Sequence, residues 1–287
     1  MRLLALSDLH VGYAHNRDAI AAMPASPDDW LILGGDVGET FAHLEWTLDT
    51  LGPRFARLLW VPGNHELWCE PRDGSGVAGV ERYARMVGVC RERGVLTPED
   101  PFPLWPGAGP PTRICPLFVG YDYSFGPDGL SAAEVVKWAA EEGIRCTDEF
   151  WLKPDPYPSR EAWCGARVTY SEARLDDAAR AGERLVLINH WPLRRDLVRL
   201  YRIPRFIPWC GTRKTEDWHL RWPVDVVVSG HLHMRSTDWR GGVRFEETAL
   251  GYPAHWRHDK GAEGYLRTIL PRPGLRIAGD AGPEWHR

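Results

Sequence analysis

Lysine is scarce in this chain of 287 residues: it occurs only at 137, 153, 214 and 260, so arginine supplies nearly all the positive charge. That bias points to coding composition rather than to function. An excess of basic charge is also lacking, because the net charge is -4, and nucleic-acid binding driven by general phosphate neutralisation is therefore disfavoured. No CxxC pair occurs among Cys69, Cys90, Cys115, Cys146, Cys164 and Cys210. They are too sparse for a disulfide scaffold and read as reduced, structural thiols, with Cys210, beside Gly-Thr-Arg-Lys, the one that could touch substrate. Nothing approaches the ~20 apolar residues of a membrane span. The apolar run Leu3–Leu6 is too short for a signal-peptide core, so a soluble, cytoplasmic protein is expected. No repeat, heptad or dividing linker appears, which predicts a single domain over 1–287 and specifies no oligomeric state.

What is present is ordinary globular composition, 44% hydrophobic and 26% charged, at a length that buries a substantial core. Fifteen tryptophans are many. They read as packing residues, with a stacking wall for a planar substrate group as the sharper alternative.

Short apolar runs bounded by glycine or proline organise the chain. Leu3–Leu6, Trp30–Leu33, Leu58–Val61, Leu117–Val119, Leu185–Ile188 and Val224–Val228 read as buried strands, and 243–248 and 265–270 as two more. Helical spacing predicts helices over 16–23, 40–51, 80–93 and 131–140. The proline-rich stretch 97–116 reads as loop plus edge strand. After the helix at 131–140, little periodicity appears to about Val168, so an irregular, cap-like insertion is expected within about 121–180, and a second over the Arg-rich segment 193–219.

Five of these runs end on residues of metal-ligand type: Asp8 and His10, Asp36, Asn64 and His65, His190, and His231 and His233. Asp8 and His10, two apart in extended backbone, face one point. In α/β sheets ligands bind beyond the carboxyl ends of strands, where loops converge on a rigid frame. Carboxylate, imidazole and amide oxygen without thiolate suit divalent Mn, Fe or Zn.

The ordered set Asp8-x-His10, Gly35-Asp36, Gly63-Asn64-His65-Glu66, His190 and Gly230-His231-x-His233 resembles the calcineurin-like metallophosphoesterases. That resemblance implies an α/β fold, a βαββα four-layer sandwich of two mixed sheets. It implies two divalent metals, with manganese favoured, one held by Asp8, His10, Asp36 and His233 and the other by Asp36, Asn64, His190 and His231, Asp36 bridging. It further implies His65 as general acid, oriented by Glu39, with Glu66 a supporting residue. Two divalent ions less two carboxylates and one hydroxide stay net cationic, so such a centre attracts phosphate despite the acidic chain. The implied reaction is hydrolysis of a small phosphate mono- or diester by a metal-bridging hydroxide, with nucleotide-like esters favoured by the aromatic and arginine content. The rival readings are a nuclease and a non-catalytic scaffold on the same fold. Protein Ser/Thr phosphatases carry GDxxDRG, whereas this chain has Gly35-Asp36-Val37-Gly38-Glu39-Thr40, which argues against that activity. The phosphate grip is then expected from Arg194, Arg195 and Arg213. Tyr121, Asp122, Tyr123 and His219 are further pocket candidates, while His15, His43, His255, His258 and His286 read as surface residues.

Overall fold

A computed structural model describes residues 1–271 and 278–286. Ten strands run β1 Leu3–Leu6, β2 Ser26–Leu33, β3 Phe55–Trp60, β4 Thr112–Pro116, β5 Arg184–Ile188, β6 Val224–Ser229, β7 Ser236–Arg240, β8 Val243–Glu247, β9 Arg267–Leu270 and β10 Ala281–Trp285. The α-helices are α1 Ala14–Ala22, α2 Phe41–Leu51, α3 Asn64–Leu67, α4 Gly79–Glu92, α5 Ala132–Ala140, α6 Asp148–Trp151, α7 Arg160–Ala179 and α8 Trp218–Arg221. One sheet has the order β3-β2-β1-β9 and the other β10-β7-β8-β6-β5-β4. Both are mixed: β1, β2 and β3 are parallel with β9 reversed, and β4, β5, β6, β8 and β10 run one way with β7 reversed between β8 and β10.

The two-residue period of a strand sorts side chains into layers. Leu3 and Ala5 of β1 join Ile32, Val61, Val186, Ile188, Val226 and Val228 in the apolar layer between the sheets. Leu4 and Leu6 face the other way and pack with Leu31, Leu33 and Trp60 under α1, α2 and α4, which contribute Ile20, Leu44, Leu48 and Val87. On the far face of the second sheet, Leu185, Leu187 and Val227 pack under α7 through Cys164, Val168 and Leu175. The layers are therefore helix, sheet, sheet, helix. Burial on both faces is why the parallel strands read as unbroken apolar runs. The two sheets meet at their carboxyl ends, where Ser7 pairs with Ala249, Ser7 N–H donating to Thr248 O at 3.1 Å and Leu250 N–H to Ser7 O at 2.8 Å. That junction sets the end of β1 beside the end of β8.

Several expectations need correction. The run Leu117–Val119 is not a strand; it follows β4, an edge strand inside the proline-rich stretch. Leu117 N–H still donates to Ile188 O at 2.8 Å, but Val119 is paired by the Asn189 side chain, which accepts from Val119 N–H at 2.8 Å and donates to Val119 O at 3.0 Å. The irregular reading up to Val168 misses the first half of α7, a helix of 20 residues whose Ser159 cap accepts from Ala162 N–H. Strands β7 and β10 carry no apolar run. In β7 polar side chains are buried because they are paired, with Arg199 bonding Asp238 at 2.7 and 2.9 Å and Thr237 donating to Glu246 at 2.9 Å. No helix among the described residues is long and apolar enough to cross a membrane.

Candidate metal centre

The strand ends turn sharply into the loops that carry the polar residues. Asp8, His10, Asp36, His231 and His233 all have positive φ, between 43° and 71°. For non-glycine residues this left-handed backbone costs about 1–2 kcal/mol each and persists where surrounding structure enforces it. Glycines permit the close approach of these loops. A Cβ at Gly63 would lie 2.1 Å from Asp36 Oδ1, and one at Gly230 would lie 2.4 Å from Asp8 Oδ2.

All seven residues expected as ligands come together. His233 Nε2 is 3.0 Å from Asp8 Oδ1 and 3.2 Å from His10 Nε2. Asp36 Oδ2 lies 4.0 Å from His10 Nε2 and 3.5 Å from His190 Nε2, between the two halves of the cluster. Asn64 Oδ1 is 3.2 Å from His231 Nδ1, and donors of Asp36, His190 and His231 fall within 4.8 Å of one another. Asp8, His10 and His190 are wholly buried, whereas His231 and His233 are partly open to solvent and form the accessible side.

The donor set fits divalent cations. His190 Nδ1 lies 2.9 Å from Gly34 O, a carbonyl that accepts its proton and turns the Nε2 lone pair into the cluster, where that atom is buried without a hydrogen bond. Burial, aided by His65, drives His10 down to about 3, and burial aided by His190 does the same to His231, so both rings are neutral and able to ligate. Burial would raise the Asp36 carboxyl, but His190 and His65 outweigh it and hold the group well below the usual range. Packing anionic oxygens among neutral lone pairs is unfavourable without a cation between them.

His65 stands at the edge of this cluster. Its Nε2 is 3.8 Å from Asp36 Oδ2, its Nδ1 is 3.3 Å from Glu39 Oε1, and its ring lies against Trp68 with centroids 3.7 Å apart. Burial lowers its basicity, but Asp36 and Glu39 outweigh burial and raise it above the ordinary imidazole value. Burial likewise acts to raise Glu39, yet hydrogen bonds with His43 and His65 hold that carboxyl low.

Glu66 holds the frame. Fully buried, it accepts from Asp36 N–H and Val37 N–H at 2.9 Å and from Gly63 N–H at 3.0 Å. One carboxylate thus ties the loop after β2 to the loop after β3. Glu66→Ala leaves these three buried backbone donors, and Trp60 Nε1 at 3.4 Å, without their acceptor, each worth about 1–3 kcal/mol. Thermal unfolding of that variant is expected to begin far below wild type, with metal uptake reduced; an unchanged melting temperature would remove Glu66 from this role.

Other sequence candidates lie elsewhere. Arg194 donates to Asp196 and Glu216 O, Arg195 to Phe125 O, and Arg213 to Ser124 O and Asp128. These bonds run within the 193–219 segment and to 124–128, and none of them reaches the cluster. Tyr121 is buried against Tyr123 and Trp191. Asp122 pairs with Lys214, Tyr123 donates to Glu149, and His219 is buried beside Arg194. Cys210 is fully buried with its thiol on Phe206 O, and burial pushes its pKa well up, so it does not face solvent.

Sequence reasoning missed four residues. His255 is not simply a surface residue: its Nδ1 is 3.0 Å from His233 Nδ1. Tyr252 stacks on His10 with centroids 4.5 Å apart and walls the open side. Arg82, fully buried, donates to Glu66 O and Glu39 O and so braces both loops from α4. Asp148 accepts from Asn64. None belongs to a motif; a buried arginine or aspartate is legible only when its partners are in view.

A profile of the calcineurin-like phosphoesterases matches residues 1–235. The chain is 48% identical over 273 residues to the [acyl-carrier-protein] phosphodiesterase PptH of Mycobacterium tuberculosis, covering 94% of this chain and 84% of that protein. The crystal structure of that phosphopantetheinyl hydrolase superposes with a TM-score of 0.90 at 47% identity, over 96% of this chain and 98% of the other. With its fold, its ordered histidines and aspartates and this similarity, the chain belongs to the calcineurin-like phosphoesterase family, the metal-dependent hydrolases of phosphoric esters.

Proposed function

We propose that the chain hydrolyses a phosphodiester carried on an acyl carrier protein, releasing a phosphopantetheinyl group. The observation that carries this reading is the 48% identity to a carrier-protein phosphodiesterase over 94% of the chain. It replaces the nucleotide-like ester suggested by aromatic and arginine content with a protein-borne diester. Asp8, His10, Asp36 and His233 would hold one divalent cation, and Asp36, Asn64, His190 and His231 the second. When bound, the pair supplies a nucleophile near neutral pH by lowering the pKa of a water, and neutralises charge on the phosphoryl oxygens. Manganese is the cation to test first, since the donors are oxygen and imidazole without thiolate. A reduced intracellular setting suits the six free cysteines, five of them buried, and on that ground we place the protein in the cytoplasm.

The chain's own residues perform the rest. A water oxygen joins phosphorus, the bond from phosphorus to the leaving oxygen breaks, and His65 Nε2 gives that oxygen a proton. Glu39 keeps the ring oriented through Nδ1 and stabilises its protonated form. Tyr252 forms a wall beside His10 and keeps the reacting group over the cluster. Arg194, Arg195 and Arg213 are left out of phosphate binding, because the bonds they make run to Glu216, Phe125 and Ser124 rather than to the cluster.

Full-length protein supplied with Mn2+ and incubated with a carrier protein bearing the phosphopantetheinyl group tests this by intact mass. The expected product is the bare carrier protein. Retention of the group, under conditions where a simple aryl phosphodiester is cleaved, would overturn the substrate while leaving the chemistry.

A further inference from the structure

An asparagine ligand must present oxygen, not nitrogen, to a cation, and the two ends of its amide are nearly the same shape. Something has to choose. In this protein the choice is made from 84 residues away. Asp148 is fully buried, and its Oδ1 accepts from Asn64 Nδ2 at 3.0 Å and from Trp68 Nε1 at 2.7 Å. An aspartate oxygen accepts, so it takes the NH2 end and turns Asn64 Oδ1 toward His231 Nδ1, 3.2 Å away. The same oxygen fixes the plane of Trp68, whose ring lies 3.7 Å from His65.

Asp148 is itself anchored. It opens α6, and Arg160 in the first turn of α7 donates to Asp148 O at 2.7 Å, to Leu152 O at 2.9 Å and to Glu149 at 3.0 Å. Glu149 also accepts from Trp209 Nε1 at 2.7 Å and from Tyr123 at 2.8 Å. The stretch that reads as an irregular cap therefore acts, at 148–160, as a strut whose inner end is one carboxylate.

We propose that Asp148 is a positioning residue that fixes the amide orientation of Asn64 and the seat of Trp68 against His65. The proposal rests on reading Asn64 as a ligand of the second cation. Both hydrogen bonds go to Oδ1, so an asparagine at 148 can keep them with its own carbonyl oxygen, while a leucine of similar size cannot.

Mn2+ titrated into metal-free, full-length protein, with free Mn2+ followed by its electron paramagnetic resonance signal, tests this. Wild type is expected to take up two ions. Asp148→Leu should keep the first affinity and lose about 10–100-fold in the second, the range typical of residues that orient a ligand. Asp148→Asn should stay within about tenfold of wild type. Equal affinities in wild type and Asp148→Leu would overturn the positioning role, as would equal losses in Asp148→Leu and Asp148→Asn or equal loss of both ions. Fewer than two ions in wild type would instead overturn the reading of the ligands, and this proposal with it. Should Asp148→Leu fail to fold, a crystal structure of the metal-loaded wild type decides: Asn64 Nδ2 on Asp148 with Oδ1 on the cation supports the assignment, and any other orientation removes it.

Discussion

Asp36→Asn is expected to abolish uptake of both cations and to lower turnover by about three orders of magnitude or more. The size follows from losing several kcal/mol of charge stabilisation at about 1.4 kcal/mol per tenfold in rate. The substitution is conservative for the fold. Asp36 Oδ1 accepts from His65 N–H at 2.9 Å, and asparagine keeps that bond with its own carbonyl oxygen. Its nitrogen then falls where Oδ2 stands, 3.5 Å from His190 Nε2 and 4.0 Å from His10 Nε2, and an amide NH2 cannot ligate. Metal content and activity should fall together while the metal-free protein unfolds near the wild-type temperature. Wild-type metal occupancy in Asp36→Asn would mean that this carboxylate does not bridge.

His65→Ala separates metal binding from chemistry. Its ring lies beside His10, with centroids 4.6 Å apart, and its Nε2 is 3.8 Å from Asp36 Oδ2, but the seven donors do not include it, so both cations should remain. Turnover should fall about 10²–10⁴-fold, the usual contribution of a positioned general acid. The loss should be greatest for esters with poor leaving groups such as alkoxides, and small for nitrophenyl esters, whose leaving oxygen needs no proton. The sign of the pH effect follows from the raised basicity of His65. An acid held above the ordinary imidazole value is protonated at neutral pH and is lost as pH rises through its folded value, so wild-type kcat has an alkaline limb that the variant lacks. Measuring kcat against pH for an alkyl and an aryl ester checks both points; an equal loss for the two leaving groups would take the proton-transfer role from His65.

The strand ends were legible because two signals coincide there. An unbroken apolar run marks a strand buried on both faces, and a glycine beside a ligand-type residue marks the turn beyond it, as at Gly63-Asn64 and Gly230-His231. The glycines are required by contact, since a Cβ at either position would collide with Asp36 or Asp8. Strand β7 was illegible for the opposite reason, and β10 because it is largely exposed. Asp238 is interior because Arg199 pairs with it, and a strand whose buried face is charged has no apolar period to detect. The arginines after His190 likewise depend on partners that the sequence does not show. Guanidinium groups at 194, 195 and 213 look like a phosphate grip until Glu216, Phe125 O and Asp128 appear as their partners. Asp148 lies between the aromatic and proline-rich residues of 145–158, where sequence suggests only a loop, and its function depends on a fold that sets it against Asn64.

Metal analysis of the purified full-length chain, loaded with excess Mn2+ and freed of unbound metal, tests the central claim most directly. Seven donors shared around Asp36 predict close to two divalent ions per chain, with activity lost on chelation and restored on reloading. One ion per chain, or none at any pH from mildly acidic to alkaline, would contradict a dinuclear phosphoesterase centre at these residues.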